Sequence, residues 1–522
     1  MARPTLTGPA ATLISVSVII ASWALAVPRY AGPDEPSHAI ASAALVRGER
    51  GGTPVEQPVA GSQFDVPSMV GDPDPGCFAF QTDVTAACTG PPVDSTALGH
   101  RVTTANQYPI WGHVLPGLAS FLPSPTWYLY VARIFNGLLG IALVGTAIGR
   151  CVRTSNKALL LGMVVGLTPI AWFAMSVVNP SATTIAGGVA LWTAMLTERR
   201  VRGDVLMLAG WLAVVFPRRD GPIWATLIVL AACLVERKLP TDFWSRWRSS
   251  EKVVFVATLP LLALPVFMNY YDRFAIALAC APLAIALLEA GGRALRNRGI
   301  AHRPSPILVV IIAVVAVGVS LALVNVIRPG GVSTPITWAI VNGTGDQLRQ
   351  MVGILGWLDA PVPQSSVLLW WVLLGAIAAL AYSRSPRAVG ASVAVLAAAV
   401  VAAWLLQLGT SGAVGPYWQA RYSLPLLIGI PMVLGRSASD LVTDDRRLVH
   451  IVAGSVWWIW NTGFYGAMRR WGAGLEGSNY PWRWDSWSNP VPISLLLITH
   501  AVASAWLIWN CTTRAASVSP AE

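Results

Sequence analysis

The chain has 522 residues, of which 54% are hydrophobic and only 12% charged. Its mean hydropathy is +0.58, and so few charges could not cover the surface of a soluble protein of this length. The formal charge of +11 does not suggest a nucleic-acid partner, because most basic residues fall in short loops between apolar runs, where they set membrane topology.

Apolar runs long enough to cross ~30 Å of hydrocarbon recur along the chain. They fall at 10–28, 127–149, 158–177, 182–197, 204–217, 222–236, 252–270, 273–290, 305–327, 366–382, 388–408, 421–435, 448–466 and 491–509. The expected fold is therefore all-α and integral to the membrane, a single polytopic domain over 1–522 with about fourteen transmembrane helices. The short pair within 204–236 sets the uncertainty in that count. Thr12 to Val27 lacks a small-residue cleavage site, so it reads as a first span rather than a leader peptide.

Alternate loops carry Arg150 and Arg153, Arg199 and Arg200, Arg237 and Lys238, Arg293 to Arg303, Arg384 to Arg387, and Arg446 and Arg447. Placing these inside puts both termini in the cytoplasm and the chain in the inner (plasma) membrane. The loops 29–126, 328–365, 409–420 and 467–490 are then extracytoplasmic. The first is long enough to imply a role. It opens with a helix-like stretch, Ser37 to Arg47, and continues through an irregular, turn-rich Thr53 to Pro92. Cys77 and Cys88 share this loop, so an oxidising compartment would pair them; two free thiols are the alternative.

Directly after the first span comes Pro33-Asp34-Glu35-Pro36-Ser37-His38. Pro36 suits the first turn of a helix. Asp34 or Glu35 could simply cap that helix. With His38 on the same face, however, they also form an acid–base set able to take a proton from an acceptor hydroxyl. Asn179-Pro180 reads more plainly, as a cap and first-turn proline opening the fourth span.

An acidic pair at this place resembles the GT-C superfamily of membrane glycosyltransferases. Asp34-Glu35-Pro36-x-His38 is more narrowly similar to the bacterial membrane family labelled domain of unknown function 2142. Two later segments fit the same family. Gly353-Ile354-Leu355-Gly356-Trp357-Leu358-Asp359 resembles its Gly-Trp-Leu-Asp element. Gln419-Ala420-Arg421-Tyr422 resembles its Gln-Gly-Arg-Tyr element, with Ala420 in place of the usual glycine.

The superfamily resemblance implies a polyprenyl-phosphate-linked sugar as donor, a glycan, glycolipid or protein of the cell envelope as acceptor, and Asp34, then Glu35, as base. Arabinose, mannose and galactose are the candidate sugars, and nothing in the residues selects among them. Arg421, Arg218, Arg219, Arg328 and Arg349 lie outside or at the outer boundary, where arginine can grip phosphate with two N–H groups. Snorkelling to lipid phosphate, or pairing with nearby acids such as Asp220, is the plainer account of each. Tyr422, Gln419, Trp357, Asp359, Tyr108, Trp111 and His113 are expected to line the substrate cavity.

The Trp-rich loop 467–490, with Trp471, Tyr480, Trp482, Trp484 and Trp487, offers either a sugar platform or an interfacial belt. No dedicated metal-ligand spacing is present, although a divalent cation held by carboxylates is compatible with the set. The alternative function is a transporter or flippase for a lipid-linked saccharide. It predicts ionisable residues within the spans and matching broken helices in two halves.

Overall fold

The computed structural model describes residues 9–513, apart from 57–60, 155, 198–202, 268–338, 341, 415–417, 439–444, 486 and 488. The expected spans at 273–290 and 305–327, Arg328, Cys280 and the basic loop 293–303 lie outside the described residues.

The chain is predominantly helical. Among the described residues four helices are long and apolar enough to cross a membrane: Tyr128–Arg153, Gln364–Arg384, Pro386–Gln407 and Ile493–Thr512. Each coincides with an apolar run in the sequence. A fifth candidate is bent: Lys157–Gly166 and Pro169–Met175 meet at 74°. Pro169 sits at the start of the second piece, and a residue before proline is driven out of the helical region, so the break falls where the sequence requires it. Shorter apolar helices at Ala10–Ala26, Ser181–Leu196, Val205–Val215, Gly221–Glu236 and Leu424–Ser437 complete the described bundle. Trp23, Trp172, Trp192, Trp224, Trp460 and Trp471 are fully buried within it.

The first outer segment differs from its expected irregular form. After the helix α1 (Pro9–Ala26), a short helix α2 runs Glu35–Val46 with Pro36 in its first turn. Strands β1 (Thr53–Val55), β2 (Gly61–Pro67) and β3 (Leu98–Thr103) then form an antiparallel sheet in the order β1-β2-β3. In β2, Ser62, Phe64 and Val66 point inward while Asp65 is exposed, the two-residue alternation of a half-buried strand. Phe64 and Val66 pack with Ile40 and Ala43 of α2 and with Leu129 and Ala132 of the long helix Tyr128–Arg153. The all-α expectation is thus corrected by a small sheet that clamps α2 onto the bundle. Beyond it, Cys77 and Cys88 form a disulfide with a Cα–Cα distance of 6.2 Å.

Two close approaches position the later motifs. A second hairpin, β4 (Ile354–Leu355) with β5 (Ala360–Pro361), turns through Gly356-Trp357-Leu358-Asp359. Gly356 has φ +62°, and a Cβ there would also collide with its own turn. Gly188, on Ser181–Leu196, faces the Pro425 carbonyl so closely that a Cβ would lie 2.5 Å from it. A larger residue at 188 would push the helical segment after Arg421 away from the first loop.

Candidate functional site

The two adjacent acids of Pro33-Asp34-Glu35-Pro36 are put to different uses. Glu35 is fully buried and takes Arg133 in a two-pronged pair, with Nε to Oε1 at 2.8 Å and Nη2 to Oε2 at 2.7 Å. The Val178 and Gly32 amides donate to the same carboxylate at 3.0 and 3.3 Å. Arg133 also donates to the carbonyls of Ala24, Val27 and Pro28, at and just beyond the end of α1. Glu35 therefore fastens α2 to α1 and to Tyr128–Arg153, and is not placed to take a substrate proton.

Asp34 turns the other way. Its backbone is left-handed, with φ 60°, a region aspartate enters more readily than most residues. Its carboxylate makes no cap hydrogen bond to α2. It is 44% exposed and accepts from Arg421 Nη2 at 2.9 Å. Asn179 ties the next element in: Oδ1 accepts from the Ser181 amide at 2.9 Å and Nδ2 donates to the Pro33 carbonyl at 3.2 Å, while the cap position of Ser181–Leu196 falls on Pro180 rather than on Asn179 as expected.

Arg421 lies on a 3-10 turn, Ala420–Tyr422, whose first amide donates to Gln350 Oε1 at 3.0 Å. Its side chain is only 4% exposed. Nη2 donates to Asp34 and to the Tyr422 hydroxyl, the latter at 3.3 Å. The guanidinium has five N–H donors, yet Nε and Nη1 have no partner among the described residues. A buried cation with unused donors is suited to receive an anion.

A second guanidinium stands beside it. Arg218 lies 4.1 Å above the Tyr422 ring and 5.6 Å from the Tyr108 ring. It donates to Asp220 Oδ1 at 2.8 Å and to the Ser181 hydroxyl at 3.2 Å.

The histidines continue this wall. His113 Nδ1 is 3.3 Å from the Pro109 carbonyl, which can only accept, so Nδ1 carries the proton and Nε2 is an acceptor. His38 Nδ1, 3.1 Å from that Nε2, must then donate, which leaves the lone pair on His38 Nε2. Burial pushes His113 down to about 4. Burial, then His113, Arg421 and Arg218, hold His38 well below the usual imidazole range, so both rings stay neutral. Tyr108 packs edge-on to His38 at 4.9 Å.

A narrow, mostly apolar crevice opens between Pro33, Arg421 and the second hairpin, lined by Gln350, Gln419, Gly356 and Leu358 and by Ile170, Phe173, Val177 and Ile354. Trp357 braces its rim, its Nε1 donating to the Tyr30 carbonyl at 3.0 Å. Asp359, expected to line the cavity, is instead buried and paired with Arg470 at 2.8 Å. Burial pushes its carboxyl up, against the pull of Arg470. Arg470 also gathers the carbonyls of Phe78, Gln81 and Val84, so it seats the disulfide loop on this hairpin. Among the described residues five non-glycines have positive φ; of these Leu358 lines the crevice, Asp34 pairs with Arg421, and Tyr30 and Phe80 both contact Trp357. Backbone strain of this kind collects at functional sites.

Other expected residues fall elsewhere. Trp111 is 45% exposed and packs edge-on to Phe216. Arg349 is exposed and 3.8 Å from Asp346. Arg219 is half-buried next to Arg218. In the Trp-rich loop, Trp471 and Trp487 are buried, while Tyr480 and Trp482 stack on each other at 5.0 Å in the open. No group of three or more His, Cys, Asp or Glu with metal-holding geometry occurs among the described residues. Arg133, Arg470, Gln350, Tyr30 and Phe80 were not legible as site residues in the sequence. Arg133 carried the only signal, a lone charge inside an apolar run.

The family described as predicted membrane protein (DUF2142) matches residues 18–430, and the chain belongs to it. No curated protein and no solved structure matches the chain.

Proposed function

We propose that this membrane protein of the DUF2142 family is a glycosyltransferase that moves a sugar from a polyprenyl-phosphate donor to a cell-envelope acceptor. In this reading the site faces outward from the inner membrane, both termini are cytoplasmic, and about fourteen helices build a GT-C-like frame.

The observation that carries the reading is the Asp34–Arg421 pair, a half-exposed carboxylate held 2.9 Å from a buried guanidinium with unused donors. Transfer needs both groups side by side. The acceptor hydroxyl gives its proton to Asp34 as its oxygen bonds to the sugar C1. The bond from C1 to the phosphate oxygen breaks, and the electron pair leaves on the phosphate. Arg421, with Arg218 behind Tyr422, would receive that negative charge. Glu35 and His38 position Asp34 and the wall around it rather than react. No ATP is needed, because the donor's glycosyl-phosphate bond supplies the energy.

The test is Asp34→Asn in cells, followed by compositional analysis of the envelope glycans. Loss of one sugar class, with the protein still inserted at normal level, supports the reading. Unchanged glycan with impaired lipid-carrier translocation assigns the chain to the flippase class. Unchanged glycan and unchanged translocation leave the motif structural and overturn both.

A further inference from the structure

We infer that Phe80, Trp357 and Leu358 form a carbohydrate-stacking ledge that holds the acceptor glycan at the mouth of the crevice; this rests on the glycosyltransferase reading.

Phe80 is 68% exposed and Leu358 41% exposed, and both have left-handed backbones, with φ 63° and 62°. A bulky side chain in that region is an outlier. The Phe80 ring meets the Trp357 ring edge-on at 5.6 Å. The ledge is rigid. Trp357 is held by the Tyr30 carbonyl and by Asp359 Oδ1, which accepts from its amide at 3.1 Å. Phe80 is clamped on both sides, because Arg470 binds the Phe78 and Gln81 carbonyls and the loop is closed by Cys77–Cys88. An exposed ring contributes little to the core, so such a clamp around a strained phenylalanine points to an external ligand.

The polar and acidic groups beside the ledge favour a sugar over hydrocarbon. The crevice that starts at Leu358 has apolar walls at Ile170, Phe173, Val177 and Ile354, and its polar groups are Asn179, Gln350, Gln419 and Arg421. Gln350 uses only Oε1, on the Ala420 amide, and the Gln419 side chain makes no hydrogen bond among the described residues. Unused amides suit hydroxyl groups and have no use for an acyl chain. Gln81, Thr82 and Asp83 follow Phe80 directly, and Asp485 is bonded to Thr85 at 3.0 Å. Carboxylates there would be repelled by anionic head groups. Aromatic faces take the C–H side of a pyranose or furanose ring, as they take other apolar edges. A glycan lying on the ledge would extend its terminal hydroxyl along the crevice toward Asp34.

The experiment uses the full-length protein in nanodiscs and saturation-transfer NMR with arabino-, manno- and galacto-tetraoses as probes. Wild type should bind one of the three. Phe80→Ala should weaken that binding roughly three- to tenfold, and Phe80→Trp should restore it. If wild type binds none, or Phe80→Ala binds as tightly as wild type, the ledge is overturned. The two readings fail separately. Lost glycan in Asp34→Asn cells with wild-type affinity in Phe80→Ala removes the ledge alone. Normal glycan in Asp34→Asn cells with Phe80-dependent binding removes the transferase and leaves a glycan-binding surface.

Discussion

Two carboxylates adjacent in sequence part company because one peptide turns left-handed. Asp34 at φ 60° faces Arg421, whereas Glu35 enters the first turn of α2 and meets Arg133. The acidic pair and the Gln-Ala-Arg-Tyr segment were legible in the sequence, but the division of labour was not, since it depends on a contact spanning 387 positions. The two roles separate by measurement. Glu35→Gln leaves Arg133 buried beside a neutral partner and should cost about 3–5 kcal/mol. Its effect should appear as a lower melting temperature in detergent and less inserted protein. Arg421→Lys keeps the charge but loses the fork that can hold Asp34 and a phosphate together. Transfer in isolated membranes should fall about a hundredfold at near-normal melting temperature. An Arg421→Lys protein with wild-type transfer would remove the phosphate from this position.

At the level of elements, the cap is held to the bundle by the apolar cluster around Phe64 and Val66 and by a few buried polar contacts. The expected helix over Ser37 to Arg47 is present, but the sheet beside it was hidden by glycine, proline and aspartate flanking a short alternating strand. The disulfide loop docks through Arg470 onto the turn of the second hairpin. Cys77→Ser should therefore lower stability by about 2–4 kcal/mol and loosen the rim around Trp357. Hydrogen exchange at residues 78–88 and 354–361 should speed up together; faster exchange at 78–88 alone would show that the two are not coupled. The His38–His113 contact joins α2 to the loop after β3. His113 is depressed to about 4, so between roughly pH 6.5 and 4 the unfolded cap binds the proton that the folded cap excludes. Stability of the cap is full above that window and falls as pH drops through it, by an amount of order 3 kcal/mol. His113→Gln should make the melting temperature depend less steeply on pH over this range, with His38 supplying the slope that remains. A slope equal to that of wild type would place the titration elsewhere.

Across the whole molecule, the site is assembled from the end of the first span, the turn holding Arg218, and the entry to Leu424–Ser437, three places that no local pattern links. Composition and periodicity could therefore announce a membrane bundle and mark its motifs without showing that they converge. One long-range pattern does indicate how the bundle sits. Tyr128–Arg153 carries a buried ion pair near each end: Arg133 with Glu35, and Arg150 with Asp204, which also receives Arg246. Seventeen residues of helix separate the two arginines, about 25 Å at the usual rise, close to the thickness of hydrocarbon. The pair at Asp204 lies on the side of the basic loops, and the pair at Glu35 on the side of the candidate site. Positive loops favour the cytoplasm, so the site should face out. Asp94→Cys and Arg446→Cys place exposed thiols on the two sides. A membrane-impermeant maleimide added to intact cells should label residue 94, and residue 446 only after permeabilisation, with the unsubstituted chain as background. The reverse pattern would put Asp34 and Arg421 in the cytoplasm, away from an outward-facing lipid-linked donor, and the transferase reading would fall with them.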